Sequence, residues 1–419
     1  MTSKLKRNIF FQYLLQIAIY VFPFLTLPYL ARVLGPDVYA VRAYAVSAMG
    51  LAATFVSYGF NLFGTREVAL HRDDLGYLRR LTTSIFVMRA ILGLFGALAV
   101  VVLIPGIPLM ARNPEYMLIA YVGVCFTSML PDFIFQGLED MSVMTKRYVG
   151  SKLVSVLLIF AFVHGPEDVV LVAVFETTAS AIAFVWSWID VLFKRGIRFD
   201  FKEFSARDTA RCFKSSTVFF VSSASTTTFT GLTTVMIGAY VQDAAQIAYW
   251  SIAMTAVAAI QSLYSPITNS LYPHVVANRD FGIVKRFLFL GLPSVLVGTV
   301  SFCVLADAVM LILGGPEYLE GAYVVRLVSP VLLLSYPAMV IGFPVLAAAG
   351  REAQLTASSL AAAVFHIVCL FALAAADAFS IANIAILRCA TEFVMMALRG
   401  FFVFRWMSWR GGFSGGGKD

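Results

Sequence analysis

LTTSIFVMRAILGLFGALAVVVL, residues 81–103, carries a single charged side chain, Arg89, in a run long enough to cross a bilayer. A hydrocarbon core about 30 Å thick takes about 20 apolar residues of helix at about 1.5 Å rise each. The run is apolar on every side, so it shows neither the alternation of a membrane barrel strand nor the stripe of a soluble helix. In hydrocarbon a helix satisfies its own backbone groups, and helix is therefore the reading.

Eleven further runs of the same kind lie on either side of it, at 8–30, 39–62, 117–135, 148–163, 169–193, 216–240, 244–269, 287–313, 324–346, 355–375 and 379–404. The expected fold is an all-α membrane protein, twelve transmembrane helices in two six-helix lobes around a central cavity. Residues 1–194 form the amino-terminal lobe, 195–214 a cytoplasmic linker, 215–404 the carboxy-terminal lobe and 405–419 a cytoplasmic tail whose glycines, 411–417, favour flexibility. Six helices per half bring both lobes in from the same face, which relates them by an axis along the membrane normal. Transporters of that design bind cargo between the repeats.

Composition agrees. Of 419 residues, 60% are hydrophobic and 13% charged, where a soluble domain has about 25% charged. Mean hydropathy is +0.84. The net charge of +7 comes from small basic groups between apolar runs, with no aromatic and basic stripe, so nucleic acid is not an expected partner. Five cysteines, Cys125, Cys212, Cys303, Cys369 and Cys389, have no paired spacing, and neither a metal site nor a disulfide framework is expected. Lys4, Lys6 and Arg7 precede a run longer than a signal peptide's apolar region and without a cleavage site, which reads as an uncleaved first span.

Basic residues fix the orientation. With the amino terminus inside, only Arg32, Arg42 and Arg112 fall on the outer side, Arg89, Arg326 and Arg388 fall within spans, and every other Lys and Arg is cytoplasmic. That asymmetry is the positive-inside rule. Lys152, in the short fifth run, is expected to snorkel to the inner surface. Outer loops such as 241–243 and 376–378 are too short to fold, so the function belongs to the bundle.

A charge at the bilayer centre costs about 2.5 to 3.5 kcal/mol on insertion scales. Arg89, Glu176, Asp307, Arg388 and Glu392 therefore need a polar interior or a partner. Arg388 and Glu392, four apart on one helical face, are spaced to neutralise each other. Arg32, Arg42, Arg89, Arg326 and Arg388 together are expected to line a cavity for an anion, because guanidinium pairs bidentately with phosphate. Asp132, Glu176 and Glu392 are the carboxylates available for ion coupling, or for pairing with those arginines. The seventh run is rich in hydroxyls, Ser222, Ser223, Ser225, Thr226, Thr227, Thr228, Thr230, Thr233 and Thr234, which either line something polar or let helices approach closely. Pro23 and Pro28 predict a bend in the first span, and His366 in the eleventh reads as structural.

Phe24-Leu25-Thr26-Leu27-Pro28-Tyr29-Leu30-Ala31-Arg32-Val33-Leu34-Gly35 followed by Tyr39, Gly64-Thr65-Arg66-Glu67-Val68-Ala69, and Phe135-Gln136-Gly137-Leu138-Glu139 carry a resemblance. They resemble the polysaccharide-exporter branch of the multidrug/oligosaccharidyl-lipid/polysaccharide transporters, the O-antigen and repeat-unit flippases above all. Ala40 stands where that branch has glycine and Phe133 where it has tryptophan. The resemblance covers the whole chain. It implies a flippase, not an enzyme, that moves an undecaprenyl-diphosphate-linked oligosaccharide from the inner to the outer leaflet of a bacterial cytoplasmic membrane. The implied partners are that lipid-linked oligosaccharide, membrane lipids, a polysaccharide polymerase and a chain-length regulator, with no cofactor and both termini cytoplasmic. Two rivals stand beside it: an exporter of drug-like cations on the same scaffold, which would favour acidic over basic cavity residues, and a non-transport scaffold for envelope assembly. A membrane glycosyltransferase would need carboxylates on large outer loops, which are lacking.

Overall fold

The structure is a computed structural model that describes residues 3–201, 205–227, 231–241 and 243–409. Thr228, Thr230, Lys202, Arg410, Lys418 and the glycine-rich 411–417 lie outside the described residues, as do the side chains of Lys4, Lys6, Arg207, Ser222, Ser223, Ser225 and Thr226.

The described regular structure is helical, and the chain is the all-α membrane protein expected. One helix, Ser3–Ser57, carries the first two apolar runs and is broken at Gly35 (φ 71°, ψ 167°). The prolines at 23 and 28 stay within helix; the break falls on the residue before Pro36 instead. A residue preceding proline is driven out of the α region, and only glycine takes a positive φ without steric cost.

Leu75–Leu103 is the third span, started by Asp74, whose carboxylate accepts from the Tyr77 amide at 2.9 Å. Pro114–Ser128, Met141–Phe162 and Val169–Ile189 are the fourth to sixth. The seventh comprises Ala206–Thr227 and Thr233–Tyr240. Ala244–Ser262, Phe281–Val304, Pro330–Ile341, Glu352–Ala375 and Ile381–Trp409 are the last five. Among the described residues nine helices are long and apolar enough to cross a membrane. The difference from twelve has plain causes. The first two runs share one helix, the fifth carries Lys146, Arg147 and Lys152, and the seventh includes residues 228–230, which lie outside the described residues.

The chain divides into two compact units, residues 1–248 and 249–419. The expected linker, 195–214, falls within the first unit, and its described start is packed there. Ile197 is buried, Phe199 packs between Phe86 and Trp188 with its ring tilted to both, and the Asp200 amide donates to Thr83 Oγ1 at 2.8 Å. The seventh span packs on the second, where Tyr58 lies stacked on Phe213 and Phe220 at 4.3 and 4.4 Å. Thr54 donates to Thr227 at 3.3 Å, and a Cβ on Gly238 would come within 2.2 Å of the Tyr44 ring. Where its side chains are described, the hydroxyl-rich span therefore uses small and polar residues for close helix approach.

Two of the motif stretches meet at one end of the first unit. Helix Phe60–Leu70 lies on helix Asp132–Gly137, and a Cβ on Gly64 would meet the Phe133 ring at 2.7 Å, one on Gly137 the Val68 side chain at 2.6 Å. Thr65 donates to Gln136 at 3.1 Å across the same contact. Outward faces are apolar, with Leu94 and Leu98 on the third span and Leu290 on the ninth well exposed, as lipid-facing positions should be.

Candidate functional site

Within the first unit a cavity of about 240 Å³ opens among the second, fourth, fifth and sixth spans. Its polar lining is Tyr116, Thr127, Lys152, Glu176, Thr177 and Ser180. Glu176, Thr177 and Ser180 share one face of the sixth span because residues three and four apart on a helix are neighbours. Glu176 Oε1 accepts from Arg42 Nη2 of the second span at 2.8 Å, and the Arg42 guanidinium also lies 6.0 Å from the centre of the Tyr39 ring. Both partners keep some access, with side chains 14% and 29% exposed. Lys152 of the fifth span lines the same cavity. One carboxylate thus faces two cations, leaving an excess positive charge beside hydroxyl groups.

Arg89 lies elsewhere, almost wholly buried between the rings of Phe60 and Phe133 at 6.0 and 5.7 Å. It donates to the Leu130 carbonyl at 2.9 Å and to Asn61 Oδ1 at 2.8 Å, neutral acceptors that tie the third span to its neighbours. Asp132 accepts from Arg147 at 2.6 Å, and that arginine, 5% exposed, also donates to Ser187.

In the second unit Arg388 donates to Glu392 at 2.6 Å within one helix, with the two side chains 7% and 5% exposed. Beside them, buried His366 meets Thr391 at 2.8 Å. The Thr391 hydroxyl already donates to the Leu387 carbonyl, so His366 Nδ1 carries the proton in this network. Arg326 pairs with Asp307 at an exposed position, and Arg32 is exposed.

Arg42 stands at a cavity through its partner, Arg32 and Arg326 are exposed, and Arg89 and Arg388 are enclosed. Each carboxylate read as available for ion coupling, Asp132, Glu176 and Glu392, pairs with an arginine. Lys152 is the residue that the sequence reading missed. In a linear sequence, a lysine one turn inside a span looks the same whether it reaches the surface or turns inward.

A family model described as "Polysaccharide biosynthesis protein" matches residues 5–279. A protein of Escherichia coli (strain K12) named "Putative O-antigen transporter" is 26% identical over 411 residues, 95% of this chain and 96% of that protein. A Shigella dysenteriae protein of the same name is 26% identical over 332 residues, covering 76% and 80%. Among solved structures, the lipid II flippase MurJ in an inward closed conformation aligns with TM-score 0.74 at 10% identity, over 94% of this chain and 87% of that one. An inward-facing multidrug resistance MATE family transporter of the MOP superfamily aligns with TM-score 0.71 at 14% identity, over 96% of both chains.

Proposed function

Because this chain belongs to the polysaccharide biosynthesis protein family, as a membrane transporter of the O-antigen exporter kind, we propose that its cargo is an undecaprenyl-diphosphate-linked oligosaccharide. The cargo is flipped from the inner to the outer leaflet of a bacterial inner membrane by alternating access of two six-helix lobes, with both termini cytoplasmic. The observation that carries this reading is the cavity where Lys152 and the Arg42–Glu176 pair meet the hydroxyls of Thr127, Thr177 and Ser180. Its excess positive charge suits a diphosphate, and its hydroxyls suit a sugar. The name of the curated relatives and the lipid II flippase among the structural neighbours support the same class of cargo.

In this reading Arg42, Lys152 and Glu176 receive the headgroup, Arg32 and Arg326 meet it near the outer ends of their spans, and Arg89 and Arg388 hold their own units together. Glu176 keeps Arg42 ordered between cargoes, a role that Asp132 and Glu392 fill for Arg147 and Arg388. With the cell interior negative, outward movement of each negative charge is favoured by about 2.3 kcal/mol per 100 mV, so the potential itself drives export. A polysaccharide polymerase and a chain-length regulator act on the product at the outer leaflet.

The test is reconstitution in vesicles with the lipid-linked oligosaccharide, measuring headgroup access from each leaflet. Lys152→Gln should slow transfer by about tenfold, the loss of roughly one charged hydrogen bond, and Lys152→Arg should retain most of the rate. A wild-type protein that leaves the leaflet distribution unchanged removes the flippase. Equal rates in Lys152→Gln and wild type remove only the site. A drug-cation exporter predicts the opposite sign, with Lys152→Gln improving uptake of a lipophilic cation.

A further inference from the structure

The sixth span has a second concave face. About 175° around the helix from the polar face of Glu176 and Ser180, at 100° per residue, Ala181, Ile182, Val185 and Ile189 line a groove of about 640 Å³. Thr178 and Trp186 also line it, and so does Lys194, one turn beyond Ile189 along the chain. The lining is otherwise almost entirely apolar, and Val185 and Ile189 are about half exposed.

We propose that this groove holds the polyprenyl tail of the cargo while its headgroup waits at the inner leaflet, with Lys194 against the diphosphate. The inference rests on the orientation and cargo class proposed above. Two observations favour that occupant. The first is length: eleven residues separate Thr178 from Ile189, about 16 Å of helix, which matches one leaflet of a core about 30 Å thick. The sixth span runs from the outer to the inner face, so the groove lies in the leaflet where the cargo is loaded.

The second is charge. The Lys194 side chain is 69% exposed, and Asp190, its ionic partner at 3.2 Å among the described residues, is shared with Arg195 Nε at 2.8 Å. Lys194 thus keeps donors for a phosphate, since an ammonium has three. It stands clear of the span because the helix widens into a π turn over Asp190–Lys194.

Head and tail sites on opposite faces of one helix also give the sixth span a direct means of sensing a complete cargo.

The experiment uses the full-length protein in phosphatidylethanolamine and phosphatidylglycerol vesicles, with undecaprenyl diphosphate carrying a photoreactive diazirine in its tail. Labelling should fall on the peptide 178–194, be displaced by unlabelled undecaprenyl diphosphate, and resist an excess of phosphatidylglycerol. Ala181→Trp and Val185→Trp, which fill the groove from exposed or half-buried positions, should lower labelling by about tenfold or more, and Lys194→Gln by several-fold. Label spread evenly over lipid-facing helices, or displaced equally by phosphatidylglycerol, overturns the proposal. So does a wild-type transfer rate in both tryptophan variants. Labelling that behaves as expected in a protein that moves nothing across the bilayer leaves the groove standing and removes the flippase instead.

Discussion

In the amino-terminal unit an arginine and a glutamate meet from different helices, Arg42 of the second span and Glu176 of the sixth, beside a cavity that Lys152 also lines. In the carboxy-terminal unit both members of the comparable pair, Arg388 and Glu392, come from one helix and are sealed, with His366 packed against Thr391 next to them. The first pair keeps some access, with side chains 14% and 29% exposed, so either member can take a new partner. The second cannot do so without opening its unit. A charge within an apolar run therefore indicates a polar environment, and only the packing decides whether that environment is a site or a clasp.

The sharpest way to break this contrast is to remove one member of the sealed pair. Arg388→Ala leaves the Glu392 carboxylate buried with its ion-pair partner gone, and should cost about 3 to 5 kcal/mol of stability in a detergent unfolding curve. Replacing both, Arg388→Met with Glu392→Met, should recover most of that loss, since a buried pair exchanged for apolar side chains is often neutral. A single variant as stable as wild type would mean that the pair is hydrated, and the two units would then be alike.

Glu176→Gln makes the corresponding change in the open unit. Arg42 retains a neutral acceptor and some access to water, so the expected cost is smaller, about 1 to 2 kcal/mol. If the loss equals that of Arg388→Ala, the cavity does not admit water and the cargo site is misplaced.

The difference between the units also marks how far the sequence could be read. Twelve apolar runs and their helical nature follow from residue types in order, because hydrocarbon leaves the backbone so few options. The Arg388–Glu392 pair follows as well, since four residues on a helix is a contact by geometry. Arg42 and Glu176 are 134 residues apart, and no local rule joins them. Arg89 reads as a lumen group because its actual partners, the Leu130 carbonyl and Asn61, have no charge to announce them. The glycines at 64 and 137 are legible only as motif members; their reason, a ring and a valine pressed against them, belongs to the packing.

A pH measurement refines the picture in the first unit. Burial alone would raise the pKa of Asp140, which lies just before helix Met141–Phe162, but hydrogen bonds from Ser142 and Arg195 outweigh it and hold the carboxylate below its ordinary value of 3.8. A lowered folded pKa contributes stability that is present above the unfolded value and is lost as pH falls through the folded one. Acid unfolding of Asp140→Asn should therefore approach wild type below pH 3.8 and show the deficit above it. A deficit that grows toward acid would reverse the sign and remove the carboxylate from this clasp.

The smallest expected change in stability is the most informative about cargo. Arg326 and Asp307 pair in the carboxy-terminal unit with side chains 45% and 58% exposed, and an exposed pair contributes at most about 1 kcal/mol. Arg326→Ala should therefore unfold within about 0.5 kcal/mol of wild type, as surface substitutions do. Because its structural role is so slight, any slowing of headgroup transfer in that variant reports on the cargo and not on the fold. A slowed, fully stable Arg326→Ala would give the second unit an exposed contact of its own. An unslowed one would leave recognition to the cavity of Lys152, Glu176 and Arg42, and the contrast between the units would extend from packing to function.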